Sequence, residues 1–160
     1  MSRLANLEYR AEFIKGWPEG NALDLNYGSD DATLTNGDLV IMAANSKVIR
    51  CNKEAGAGEV GIVVRGPLDD KSVRVAGGVA SGNGTSVVGG ANTSIVLWGH
   101  YVVRTSNFDT ADVYTPGAKV YASAAGKFKL NADGTKPTVG HVMEIDVLAD
   151  GSKALIVLVR

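Results

Sequence analysis

The chain has 160 residues, 45% of them hydrophobic, which is enough to bury one substantial core and too few for two large independent domains. Sixteen basic against 17 acidic residues leave a formal charge of −1, so composition offers no electrostatic footprint for nucleic acid and no polybasic face for anionic lipid. A single cysteine, Cys51, excludes an intrachain disulfide and any cysteine-rich zinc site.

Residues 1–26 differ from the rest of the chain. Leu4, Leu7, Tyr9, Phe13, Ile14 and Trp17 are apolar but fit neither a helical nor a strand period. The cluster Trp17-Pro18-Glu19-Gly20-Asn21 reads as a turn that ends any helix before it. Two readings of this N-terminal arm stay open. It packs on its own domain, or it anchors on a partner through Tyr9, Phe13, Ile14 and Trp17, as aromatic side chains outside a patterned core tend to do. The segment from Met1 to Arg10 lacks the apolar stretch of a signal peptide, and no apolar run nears the ~20 residues that span a bilayer. The expectation is a soluble protein, assembled inside a cell.

From residue 27 onward the pattern is all-β, a small barrel or sandwich with many tight turns, in keeping with 20 glycines and four prolines. A first unit opens at Thr35-Asn36-Gly37 and runs through Asp38-Leu39-Val40-Ile41 and Lys47-Val48-Ile49-Arg50 to Val60-Gly61-Ile62-Val63-Val64. Arg65-Gly66-Pro67 breaks it, because proline cannot donate to a ladder. Ser72-Val73-Arg74-Val75 then reads as a half-buried strand, and residues 76–92 as a projecting loop rich in glycine, serine and asparagine. Ile95-Val96-Leu97-Trp98 is apolar on both faces and marks a central strand. Gly99 suggests a bulge there, with Tyr101-Val102-Val103-Arg104 continuing the run. Residues 106–114 form a connection with room for one helical turn, capped by Ser106 or Asp109.

The plan of the first unit then returns. Thr115-Pro116-Gly117-Ala118-Lys119-Val120-Tyr121 matches the opening, Lys127-Phe128-Lys129-Leu130 the second strand, and Val139-Gly140-His141-Val142 the third. Gly37 corresponds to Gly117, Val40 to Val120, Lys47 to Lys127 and Gly61 to Gly140, with one residue fewer in the last loop. The repeat thus covers 35–64 and 115–143, within a single domain at 27–160. Repeated glycine positions imply repeated turn and strand geometry. Val139 to Val147 alternates, with His141, Met143, Ile145 and Val147 on one face, and Ala154 to Val159 closes the chain as a second doubly apolar strand.

No catalytic spacing emerges from this pattern. The run Gly77-Gly78-Val79-Ala80-Ser81-Gly82-Asn83-Gly84 lacks the lysine of a phosphate-binding loop, since Asn83 stands where lysine would. His100 and His141 both lie within strand patterns, and neither has metal-ligand spacing with a partner. Cys51 has Arg50 beside it but no histidine placed nearby by sequence. The carboxylate pairs Asp30-Asp31, Asp69-Asp70 and Asp109 with Asp112 fall in turns, where aspartate bonds the local backbone. The expectation is a non-enzyme with no catalytic residue, no metal and no cofactor.

The three elements Gly37–Val63, Trp98-Gly99-His100-Tyr101-Val102 and Pro116–Val142, with their closing strand, resemble the capsid decoration (cement) proteins of tailed bacteriophages. The resemblance covers about Thr35 to Arg160. It implies a small all-β protein, commonly a homotrimer, that binds the major capsid protein on the outside of the expanded head and clamps neighbouring subunits. It also implies a virion location after assembly in the host cytoplasm, with no nucleic acid or membrane as partner. Two other classes fit the size and composition: a trimeric β-barrel nucleotide-binding enzyme, and a non-viral barrel that binds carbohydrate or peptide.

Overall fold

The structure is a computed structural model that describes residues 3–4, 10–15, 26–29, 31–44, 47–51, 60–67, 69 and 93–160. The expected strand at 72–75, the loop at 76–92, and Tyr9 and Trp17 lie outside the described residues. Among the described residues twelve strands succeed one another: β1 (Arg3–Leu4), β2 (Ala11–Lys15), β3 (Asn26–Gly28), β4 (Leu39–Met42), β5 (Val48–Arg50), β6 (Gly61–Arg65), β7 (Thr93–Leu97), β8 (Tyr101–Thr105), β9 (Lys119–Ala122), β10 (Phe128–Leu130), β11 (Gly140–Leu148) and β12 (Lys153–Val159). They form an all-β sandwich of two sheets, one in the order β3-β7-β6-β4-β5 and the other β10-β9-β11-β12-β8-β2. β1 adds to the second sheet beside β11, in parallel, and every other strand pair is antiparallel.

The two sheets repeat one ladder. In the first, β4 pairs with β5 as Val40↔Arg50, Ile41↔Ile49 and Met42↔Val48. In the second, β9 pairs with β10 as Val120↔Leu130, Tyr121↔Lys129 and Ala122↔Phe128. On the other side, Leu39↔Ile62 and Val40↔Gly61 match Lys119↔His141 and Val120↔Gly140. The match runs past the limits read from sequence. Val63↔Val96 and Val142↔Val157 are each succeeded by a register shift, at Val63/Arg65 and at Val142/Glu144. Even the isolated parallel bridges agree, Ser29 with Val48 and Phe108 with Phe128. Strands β3, β7, β6, β4 and β5 therefore correspond one to one with β8, β12, β11, β9 and β10.

Three sequence expectations change. The run Ile95–Arg104 is not one strand. Gly99 adopts φ +96°, a left-handed conformation open to glycine, and the chain turns there from β7 in one sheet to β8 in the other. His100 accordingly sits exposed in a bend, not in a strand. The bulge in β11 interrupts the alternation expected of Val139–Val147, leaving Met143 exposed while Val142, Asp146 and Leu148 are buried. Residues 106–114 hold no helical turn. Instead Asp109 folds the segment, its Oδ1 accepting from the Ala111 N–H (3.0 Å) and its carbonyl from the Tyr114 hydroxyl (3.0 Å).

The main core lies between the sheets. Leu39, Ile62 and Leu97 from the first meet Val120, Phe128, Val142 and Val157 from the second. Tyr101, Leu155 and Val103 are also fully buried there. A smaller cluster, Leu34, Val40, Val48, Val63 and Val96 with Trp98 against it, lies on the far face of the first sheet. Each fully buried side chain of this size contributes about 1.5–3 kcal/mol.

Candidate functional site

The sequence left open where the N-terminal arm goes, and the structure places one part of it. β2 pairs with β8 as an edge strand, Ala11↔Thr105 and Phe13↔Val103, with a register irregularity at Ile14. The backbone of Phe13 and Ile14 thus belongs to this chain's own second sheet. Ala11 is buried in the main core. Tyr9 and Trp17, the other two proposed anchors, lie outside the described residues.

What holds this segment is a polar seam at Arg10. Its carbonyl accepts from the Ser106 N–H (2.9 Å) and from the Thr105 hydroxyl (2.8 Å). The next amide, of Ala11, donates to Asn36 Oδ1 at 2.7 Å. The guanidinium reaches Asp38 Oδ1 at 3.3 Å and also bonds Asn107 Oδ1. Asp38 is the hub. Its Oδ2 accepts from the Thr35 N–H (3.0 Å) and from Arg50 Nη2 (3.3 Å), so two arginines flank one carboxylate. Burial pushes the Asp38 carboxyl above the ordinary value of 3.8, against the lowering pull of the Thr35 N–H, Arg10 and Arg50. Desolvation is the largest effect on this group, as expected for a side chain only 3% exposed.

Asn36 and Asn107 complete the seam as two-sided connectors. Asn36 Nδ2 donates to the Val64 carbonyl (2.8 Å), while its backbone N–H donates to Asp69 Oδ2 (2.6 Å). Asn107 Nδ2 donates to the carbonyls of Gly37 (2.7 Å) and Gly126 (2.9 Å), joining the opening turn of the first unit to the β9–β10 turn of the second. Buried amides satisfied on both sides fix one geometry, since leaving either unpaired costs about 1–3 kcal/mol. The seam therefore locks three pieces of the chain together: the arm at Arg10–Ala11, the Gly37 turn and the second sheet. Arg10, Asn36, Asp38 and Asn107 carry no mark of function in the sequence pattern.

The remaining candidate residues are dispersed. Cys51 is buried in the core, its thiol 3.8 Å from the Ala122 carbonyl. His141 is half-buried on β11, and no group of three or more His, Cys, Asp or Glu able to hold a metal ion occurs among the described residues. Asp31 and Asp69 bond nearby backbone, as do Asp133 and Asp150, which is the turn-forming role their positions suggest. No helix among the described residues is long and apolar enough to cross a membrane. Comparison with protein-family models and with curated protein sequences finds no match for this chain.

Proposed function

We propose that this is a structural protein of a bacteriophage head, a cement protein that binds the outer surface of the shell and bridges neighbouring capsid subunits. The observation that carries the reading is the duplicated sandwich with an N-terminal strand latched across its seam. Two stacked copies of the same β-unit, with an N-terminal strand latched across them, hold separated parts of one body at fixed distances, and a bridging protein needs contact points at fixed separation. The seam chemistry is that of a lock, since the side chains gathered at Arg10 and Asp38 bond one another and nearby backbone. The same three-element pattern gives the sequence resemblance to the decoration proteins of tailed phages. A homotrimer multiplies a modest contact threefold, so near-full occupancy comes from weak individual binding. The partner is then the major capsid protein, and the work is mechanical.

The test is co-sedimentation of the purified chain with heads assembled without it, from the phage whose genome encodes the chain. Saturable binding, together with greater resistance of the decorated heads to heat, is the expected result. A chain that stays in the supernatant at every concentration would overturn the reading.

A further inference from the structure

The duplication shows what docks on the opening turn of a unit. Gly37 has φ +88° and Gly117 φ +85°, and their amides make the same bond, to the Val63 carbonyl at 2.8 Å and to the Val142 carbonyl at 2.7 Å. Over Gly37 lies the extended segment at Arg10–Ala11. A Cβ built on Gly37 would stand 3.1 Å from the Arg10 Cβ and 3.4 Å from the Ala11 Cβ. Over Gly117 there is open space, with no atom of the described residues within 4 Å of the same point. Among the described residues, the two most exposed large apolar side chains flank this turn in sequence and bonding: Val113, 82% exposed, and Met143, 53% exposed, which succeeds the Val142 carbonyl bonded by Gly117. In the first unit the residue matching Met143 is Val64, packed against the main core.

The residues that hold the arm have been replaced at the second turn. Pro116 stands in the place of Asn36 and Ala118 in the place of Asp38, so the amide acceptor and the carboxylate that fix Ala11 and Arg10 have no counterpart. This chain's own Arg10–Ala11 segment is committed to Gly37, and that of a second copy is committed in the same way. We propose that the surface made by Val113, the turn at 115–118 and Met143 is a docking site for an extended, uncharged apolar segment of another protein, the capsid subunit. The proposal rests on the cement-protein reading for the identity of that partner. The occupant passes over Gly117 in extended form, as Arg10 and Ala11 do over Gly37. With no counterpart of the Asp38 carboxylate at Ala118, and with Asp112, Lys119 and Glu144 beside the apolar residues rather than among them, its affinity depends less on ionic strength than contacts made by exposed ion pairs.

The experiment compares wild type, the double variant Val113→Asp/Met143→Glu, and Lys129→Glu as a control on the outward face of the second sheet. Each is mixed with undecorated heads at 0.1 M and 0.5 M NaCl, with thermal melting and light-scattering mass measured in parallel. Expected is a tenfold or greater loss of head affinity in the double variant, with melting temperature and oligomeric mass unchanged. Wild type and Lys129→Glu should bind alike at both salt concentrations. Undiminished binding of the double variant, beside normal wild-type binding, overturns the site and leaves the cement reading standing. A drop in oligomeric mass with head binding retained overturns it by assigning the surface to a second copy. Failure of the wild type to bind heads overturns both.

Discussion

The two β-units share the pairings Val40↔Arg50 to Met42↔Val48, Leu39↔Ile62, Val40↔Gly61, Ile62↔Leu97 and Val63↔Val96 with their counterparts in the second sheet, yet they bury different faces. In the first unit Leu39, Val40 and Ile41 are all buried, because its sheet has core on both sides. In the second, Val120 is buried while Lys119 is exposed and Lys129 and His141 are half-buried. Position by position, Val120, Phe128, Val142 and Val157 match Val40, Val48, Val63 and Val96. The former line the main core and the latter the far cluster. The units are therefore stacked face to back and not related by a twofold axis. The backbone ladder is indifferent to which face is dry. Side-chain identity at a few positions decides it, Leu39 against Lys119, Ile49 against Lys129 and Ile62 against His141. The second unit ends the stack with a more polar outer face, although Tyr121 and Leu158 keep the places of Ile41 and Leu97, and a polar end face is the device by which repeat proteins stop at a defined length.

Exchanging residues across the repeat breaks this comparison most severely. Leu39→Lys places an ammonium between the sheets, where Leu39 is fully buried. The expected loss is on the order of 4 kcal/mol or more in urea unfolding, enough to prevent folding in a marginal domain. The reciprocal Lys119→Leu changes an exposed position and should stay within about 0.5 kcal/mol. Equal losses for the two would contradict the face-to-back assignment.

A smaller effect isolates the arm. Gly37→Ala and Gly117→Ala incur the same left-handed strain, about 1–2 kcal/mol, because the two φ values nearly coincide. Only Gly37→Ala also presses on the Arg10 and Ala11 side chains. It should be the more destabilising of the pair, and it should expose the β2 amides to faster hydrogen exchange. Matching stabilities with unchanged β2 protection would show that the arm does not rest on that turn.

The two units also respond to pH with opposite sign. Burial raises the Asp38 carboxyl above 3.8, so its contribution to stability is fully present below that value and is lost as pH rises through the folded pKa. Asp133 and Asp150 are held below 3.8, by bonds from the Thr135 amide and hydroxyl and from the Ser152 hydroxyl and amide. Their contribution is present above 3.8 and is lost as pH falls through their folded values. In stability–pH curves, Asp38→Asn should lose ground to wild type as pH falls toward 3.8. Asp133→Asn and Asp150→Asn should close on wild type in the acid range. These exposed turns give the smallest effects of the series.

Much of the architecture is legible in the sequence. The repeated Gly-Val-Gly spacing encodes the shared ladder, and the alternation of Lys127-Phe128-Lys129 against the unbroken Leu39-Val40-Ile41 encodes one wet face and two dry ones. The closing strands extend the repeat past its apparent limits. The sequence hides them because β6 and β7 are separated by residues 66–92, whereas β11 and β12 meet across a tight turn in which the Leu148 N–H donates to the Ser152 carbonyl at 2.8 Å. Gly99 reads as a bulge because apolar residues continue on both sides of it. Whether a glycine kinks a strand or turns it into another sheet depends on tertiary packing. The polar seam is invisible for a different reason. Its partners lie 28 and 97 residues from Arg10, and no local pattern reports such distances. One trace exists, the exchange of Asn36 and Asp38 for Pro116 and Ala118 on either side of a retained glycine.

The most direct test of the account is an image of the protein at work. Cryo-electron microscopy of expanded heads mixed with the chain should show a two-sheet body on the outer surface, lying across a boundary between shell subunits. The turn containing Gly117 should face the shell, and the face carrying Lys119, Lys129 and His141 should point to solvent. Heads without added density, or a body that meets the shell through that lysine-bearing face, would contradict it.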